Sequence, residues 1–299
     1  MTSIRKISRV YTPQGEPGFL GEGHIARRVI QTDFSTSDPF IILMDDILDK
    51  QDDTPAGGPH PHAGFETVTL VLEGQFGEGS HKMKAGDFEM MTAGSGIVHT
   101  ETIADPTKLR LLQLWLNLPQ KDRWTQPRVQ RMRAEHVPVA VIEGGRASVY
   151  SGTFAGVTSP VRNHTPFLLS HLELDAGTFL REPMPGSFTT FIYVLKGSVR
   201  VGDRNVIVNR DQVGWFERSD NLTEYLQLEV LEAGTQLVLY AAEPQNHPIV
   251  SHGPFIADSM DEIKDLYADY RSGKIQHIKD VSGDQEFIYD QVVANQAKN

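Results

Sequence analysis

Residues 59–74, PHPHAGFETVTLVLEG, lie over residues 182–197, EPMPGSFTTFIYVLKG, when Gly74 is set against Gly197. Both stretches open on alternating prolines, place a phenylalanine at the same position (Phe65, Phe188) and run through an apolar strand-like segment into a glycine turn. Farther along, AGDFEMM at 85 recurs loosely as RDQVGWF at 210. Similarity held at a fixed offset marks a duplicated unit, and this period is too long for a solenoid repeat. The chain is therefore expected to fold as two tandem barrels.

The rest of the pattern agrees. From residue 1 to about 250, short apolar or alternating runs are separated by Gly, Pro, Asn and Asp clusters; FIILMDDIL at 40, LRLLQLWLNLP at 109, FLLSHLELDAG at 167 and TQLVLYAAEP at 235 are examples. That is the rhythm of an all-β sandwich or barrel rather than of βαβ units. The charged, proline-containing segment 119–138 reads as the connection, which predicts an N-terminal domain over 1–138 and a C-terminal domain over 139–299. The one strong helix signal is SMDEIKDLYADYRSG at 259. Ser259 and Glu262 form a capping box, Ile263, Leu266, Tyr267 and Tyr270 fall at helical spacing, and Gly273 stands at the C′ position. This short C-terminal helix is expected to pack its apolar stripe on a barrel.

The two copies differ in one chemically telling way. His60 falls opposite Pro183, His62 opposite Pro185 and Glu66 opposite Thr189. Had the histidines been a device of the turn, the second copy would have little reason to lose them while keeping the frame. A second cluster, TAGSGIVHTE, brings His99 and Glu101 in the same half. Residues i and i+2 of extended backbone share a face, so His60 with His62, and His99 with Glu101, can aim into one barrel interior. Three neutral imidazoles and a carboxylate suit Fe(II), Mn(II), Co(II), Ni(II) or Cu(II), with positions left open for a substrate. The chain has no cysteine, so thiolate ligands and disulfides are excluded. Its net charge of −11 argues against nucleic acid or anionic membrane as partner, and the basic run RVQRMR at 128 is expected to be a solvated loop or strand face. The N-terminus lacks the apolar core of a signal peptide, and no run approaches a membrane span, which makes the cytoplasm the expected compartment.

The arrangement resembles a cupin barrel, and PHPHAGFETVTLVLEG together with MTAGSGIVHTE resembles the pirin family of bicupins. LWLNLPQKDRWTQPRVQ at 114 and EPQNHPIVSHGPFIADSMDEIKDLYADYRSGKI at 243 are similar to segments of the same family, so the likeness runs from about residue 25 to 275. It implies two tandem jelly-roll barrels, the first binding one divalent metal, Fe(II) foremost, with Mn, Co, Ni, Cu or Zn as alternatives, and the second free of metal. It implies His60, His62, His99 and Glu101 as ligands. Cupins at large take their carboxylate four residues past the HxH pair, which makes Glu66 the rival ligand, the group that orients an imidazole, or an alternative base. It also implies an activity: opening of flavonols such as quercetin by O2, with Glu101 as candidate base. The alternative is a metal- or redox-responsive regulator acting through protein partners. A bicupin isomerase or decarboxylase shares the fold with less support from the motifs.

The sequence departs from the family pattern in the short hairpin GEGSHKMKAGDFEMM, in Met90 where tryptophan is common, and in Ser95 where arginine is frequent. With Phe65, Met90 and Ser95 are the expected pocket residues, and they bear on substrate choice. Met83 and Met91 are expected to be packing groups. His81 is expected in a solvent-facing turn, and His24, His136, His164, His171, His247, His252 and His277 in structural or surface roles. Gly94 and Gly96 are expected to allow a close backbone approach ahead of His99.

Overall fold

The computed structural model describes residues 3–77, 82–202 and 206–290; His81 lies outside the described residues. The all-β expectation is borne out. Alternating runs become antiparallel strands, and the chain divides into two compact units, each a pair of sheets enclosing apolar side chains.

One unit comprises residues 14–136 and 245–290. Its large sheet has eight strands in the order Gly15–Pro17, His24–Arg28, Phe40–Lys50, Thr107–Asn117, Phe65–Glu73, Phe88–Thr92, Arg128–Met132, Glu286–Tyr289. Opposed to it is a three-stranded sheet of Gln276–His277, Ile97–Thr100 and Pro59–His62. Leu48, Val71, Phe76, Met83, Ile103, Leu109 and Leu111 form an apolar cluster in this unit.

The other unit comprises, among the described residues, 3–13 and 137–244. Its seven-stranded sheet runs Ile7–Tyr11, Val213–Phe216, Thr189–Lys196, Thr235–Ala242, Phe167–Leu174, Gly145–Ser151, Val139–Ile142, and its four-stranded sheet Phe179–Met184, Glu224–Val230, Ser198–Val201, Val206–Asn209. Its core is aliphatic, built on Leu172, Ile192, Val194, Leu226 and Leu237.

The units do not follow the linear cut at 138. The strand Ile7–Tyr11 pairs with Val213–Phe216, so the N-terminus completes the barrel of the second half. Residues 245–290 belong with the first half: Gln276 and His277 pair in parallel with Ile97 and Val98, and Glu286–Tyr289 runs parallel to Arg128–Met132. The cause is local: an edge strand of each barrel presents unpaired N–H and C=O groups that a terminal segment can satisfy.

The helix Met260–Arg271 carries the expected capping box between Ser259 and Glu262, and Gly273 follows it at φ +71°. Ile263 and Leu266 are buried against Ala63, Phe255 and Ala257, with Tyr267 partly buried beside them, while Tyr270 stays exposed. Burial of those two aliphatic side chains contributes roughly 1.5–3 kcal/mol each. The helix thereby backs the turn between His62 and the strand Phe65–Glu73. The basic run at 128 forms a strand, but its arginines are paired rather than solvated: Arg131 with Glu89 and Glu286, Arg133 with Asp87. No helix among the described residues is long and apolar enough to cross a membrane.

Candidate metal centre

Proline lacks the N–H a central strand needs, so a PHPH segment fits only an edge strand. Pro59–His62 is the outer strand of its sheet, paired antiparallel with Ile97–Thr100 so that His60 stands directly opposite His99 and His62 opposite Ile97. The i, i+2 relation puts His60 and His62 on one face, and the register adds His99 to it. Three glycines allow the tight turns that frame these strands. A Cβ on Gly57 would stand 2.2 Å from Glu101 O, one on Gly64 1.9 Å from Ile256 O, and one on Gly94 2.0 Å from Thr125 O, each at positive φ. Gly96, at φ +129°, meets the Ile275 side chain instead.

The donor atoms of His60, His62 and His99 all lie within 4.8 Å of one another. His60 Nε2 and His99 Nε2 are 2.8 Å apart. Two imidazole nitrogens bound to one ion at about 2.1 Å and at right angles stand about 3 Å apart, so this spacing is that of neighbouring ligands. The Nδ1 atoms of His60 and His62 point to backbone carbonyls. His60 Nδ1 faces Gly58 O at 2.8 Å and His62 Nδ1 faces Pro254 O at 3.5 Å. A carbonyl only accepts, so each Nδ1 carries the proton and each Nε2 keeps its lone pair for the centre of the triad. His62 and His99 are 4% and 3% exposed, while His60 is half-buried. Burial, followed by repulsion from His60, lowers His62 to about 3; burial also drives His99 well below the ordinary imidazole range. Neutral rings with convergent lone pairs fit a divalent transition ion.

The two carboxylates go to different places. Glu101 follows the His99 strand and borders two cavities. One, of 190 Å³, is lined by His99, Glu89, Arg131 and Lys279 among others; the second, of 60 Å³, by His60, Phe19, Leu20 and Gln113. Its Oε1 accepts a hydrogen bond from Gln113 Nε2 at 3.0 Å, and the carboxylate is not grouped with the three imidazoles. Loss of water, then the Glu89 charge, raises its carboxyl to about 7, against the opposing Gln113 hydrogen bond.

Glu66 lies elsewhere. On the strand Phe65–Glu73, Phe65 packs its ring 5.2 Å from that of His62. By the two-residue period Glu66 must face the other way. Its Oε1 accepts from Thr92 Oγ1 at 2.6 Å, Oε2 is buried without a hydrogen-bond partner, and no imidazole is oriented by it. Burial lifts its carboxyl to about 7. Above the ordinary value of 4.5 the unfolded chain releases this proton while the folded chain retains it, so the group destabilises the fold progressively from pH 4.5 to 7 and fully above that. Glu66→Gln is therefore expected to match the parent in urea denaturation near pH 4 and to exceed it at pH 8 by up to about 3 kcal/mol. A difference independent of pH would refute this.

Of the expected pocket residues, Phe65 is the one placed against the triad. Met90 pairs with Val68 across the sheet, on the face of Glu66, and is fully buried there. Ser95 is an exposed turn residue whose N–H donates to Thr125 O. Neither lines the two cavities beside the triad. Gln113 and Trp115 were not singled out from the sequence. Trp115 stacks 4.4 Å from Phe65 and 5.2 Å from His62; the alternation in LRLLQLWLN, with Leu111, Gln113 and Trp115 in phase, carried that signal. His24 is buried, donating from Nε2 to Asp46 at 2.9 Å while its Nδ1 accepts from Leu20 N, a structural role. Arg123, also unforeseen, is fully buried beneath the turn, donating to Gly64 O and Asn117 Oδ1 at 3.0 Å and lying 3.0 Å from Asp258.

The corresponding turn of the other barrel is built without imidazoles. Tyr225 stands opposite Pro183 there, and Arg5 donates to Pro185 O, Gly186 O and Phe188 O.

Comparison with known proteins gives the family. The Pirin family model matches residues 24–116 and the Pirin C-terminal cupin domain residues 169–276. Pirin of Rattus norvegicus is 32% identical over 286 residues, covering 92% of this chain and 94% of that protein. The Pirin-like protein of Solanum lycopersicum is 35% identical over 274 residues, 85% of this chain and 88% of that protein. The crystal structure of quercetin 2,3-dioxygenase from Acinetobacter baumannii is similar at a TM-score of 0.79 and 25% identity, covering 91% of this chain and 98% of that one. Two cupin domains matched in order, together with relatives at this identity over nearly the full length, place the chain in the pirin family.

Proposed function

We propose that the chain is a metal-dependent dioxygenase that opens flavonols such as quercetin with O2, holding Fe(II) through His60, His62 and His99, with Glu101 completing the set. The observation that carries this reading is the convergence of three imidazoles, His99 lining one cavity and His60 another, with Glu101 lining both. The ion would supply Lewis acidity to the flavonol 3-oxygen and open positions for O2. Glu101 is the base that removes the 3-hydroxyl proton. Gln113, bonded to one oxygen of that carboxylate, fixes which oxygen is turned away. Phe65 and Trp115 form an aromatic wall that holds His62 and excludes water from the far side. The similarity to a quercetin 2,3-dioxygenase supports the substrate class.

The test is O2 uptake by protein loaded anaerobically with Fe(II) and mixed with quercetin. Uptake with release of carbon monoxide is expected, and Glu101→Gln is expected to lower it by about 10²–10⁴-fold, the usual worth of a general base. No uptake, together with unchanged flavonol binding by the Glu101 variant, would sink the reading.

A second reading, a metal-responsive regulator acting through protein partners, has one observation in its favour. The cavities of 190 and 60 Å³ are each below the about 300 Å³ at which small-molecule sites begin. A regulator would show metal-dependent partner binding with no O2 consumption.

A further inference from the structure

The cavity beside His99 is walled on one side by the C-terminal segment. Ile278 and Lys279 line it together with Phe76, Met83, Glu89, Arg131 and the His99–Thr102 stretch. That segment is firmly built. Gln276 and His277 pair with the His99 strand, Gln276 Nε2 donates to Asp280 O at 2.9 Å, and His277 Nδ1 accepts from Lys279 N at 3.1 Å. Ile278 and Val281 pack against Met91, Ala93, Ile97 and Val129. The turn bearing Lys279 is thus anchored on both sides, and it lies beyond residues 169–276, the stretch matched by the family's C-terminal domain.

The charges of the cavity are unevenly spent. Arg131 is held by Glu89 at 2.6 Å and by Glu286, so it is neutralised by two carboxylates. Glu101 is bonded to Gln113. Lys279 brings the remaining cation, on an exposed side chain at the cavity wall. With a divalent ion at the triad and Glu101 beside it, the balance inside the cavity is positive.

We propose that Lys279 is a substrate-positioning residue that gives this cavity a preference for aromatic chelators bearing a second, anionic group, a carboxylate or an ionised phenol, at the end remote from the metal. The proposal rests on the reading of the triad as a ligand-accepting metal site. It adds the charge class of what enters. An exposed ammonium facing an anion at the cavity wall strengthens binding at low salt on the order of tenfold, an effect that salt weakens.

The experiment uses the full chain loaded with Zn(II), which binds without redox chemistry, and two probes of one shape: 3,4-dihydroxybenzoate and 3,4-dihydroxybenzamide. Calorimetric titration at low salt is expected to give about tenfold tighter binding of the carboxylate, a preference shrinking toward unity at about 0.5 M salt, as screening over a few ångströms requires. Lys279→Ala is expected to abolish the preference while leaving amide binding unchanged, Lys279→Arg to retain it and Lys279→Glu to reverse it. Equal binding of the two probes by the parent protein, or a preference that survives Lys279→Ala, overturns the proposal and leaves O2 uptake with quercetin as a separate question. Binding of neither probe overturns this proposal and the reading of the triad as a ligand-accepting site together.

Discussion

His62→Ala will yield a folded protein that no longer retains a divalent metal through gel filtration. The residue is 4% exposed, its Nε2 belongs to the triad, and its Nδ1 is committed to Pro254 O, so no neighbouring ring can take its place. Loss of an outer hydrogen-bond partner of a metal ligand costs 10–100-fold in affinity; loss of the ligand itself is expected to cost more, beyond about 100-fold. The readouts are metal content and thermal stability. Metal held at about a thousand times its dissociation constant stabilises the parent by about 4 kcal/mol, and that increment is expected to vanish in the variant. His171→Ala, in the other barrel, is expected to leave metal content unchanged; retention of metal by both His60→Ala and His62→Ala would overturn the assignment.

His62 and His99 set the sign of the acid response of the metal-free protein. Their folded values lie below the ordinary 6.5, with His62 at about 3. Between those values the unfolded chain binds protons that the folded chain refuses. Stability from these groups is complete above pH 6.5 and lost as pH falls toward 3.

Much of this was legible in the sequence, and the reasons are physical. The repeat exposed two barrels because duplicated strands keep their turn glycines, and PHPH exposed two of the three convergent imidazoles because the second copy keeps the prolines without the histidines. The helix was legible because capping is a local matter: Ser259 and Glu262 need nothing outside their own turn. What escaped was nonlocal. That the strand Ile7–Tyr11 joins Val213–Phe216, more than 200 positions away, leaves no mark on either segment's period. Glu66 misled because spacing from His62 was counted along the chain, whereas the positive-φ turn at Gly64 starts a new strand whose phase turns Glu66 away. Met90 misled similarly: Met90 and Met91 face opposite sides of one strand, and sequence alone does not say which side meets the cavity.

Arg123→Met will cost stability heavily and weaken the metal site at a distance. The guanidinium has no exposure to solvent and ties three elements of one unit: the Gly64 carbonyl of the ligand turn, Asn117 at the end of its strand, and Asp258 just ahead of the helix. Removing the guanidinium leaves Gly64 O and Asn117 Oδ1 without their donor and Asp258, 19% exposed and still bonded by Gln120, without its cation; breaking a fully buried pair costs about 3–5 kcal/mol, which is the upper bound here. Replacing both partners relieves that penalty, so Arg123→Met with Asp258→Leu is expected to recover part of the lost stability, although Gly64 O stays without its donor. The double variant carries the decisive comparison. If Arg123 merely pays for burying Asp258, metal affinity returns with stability. If it positions the turn that follows His62, affinity stays reduced after stability has recovered. The geometry favours the second outcome, because Arg123 reaches Gly64 O two residues from His62, at the one glycine whose missing side chain lets Ile256 approach.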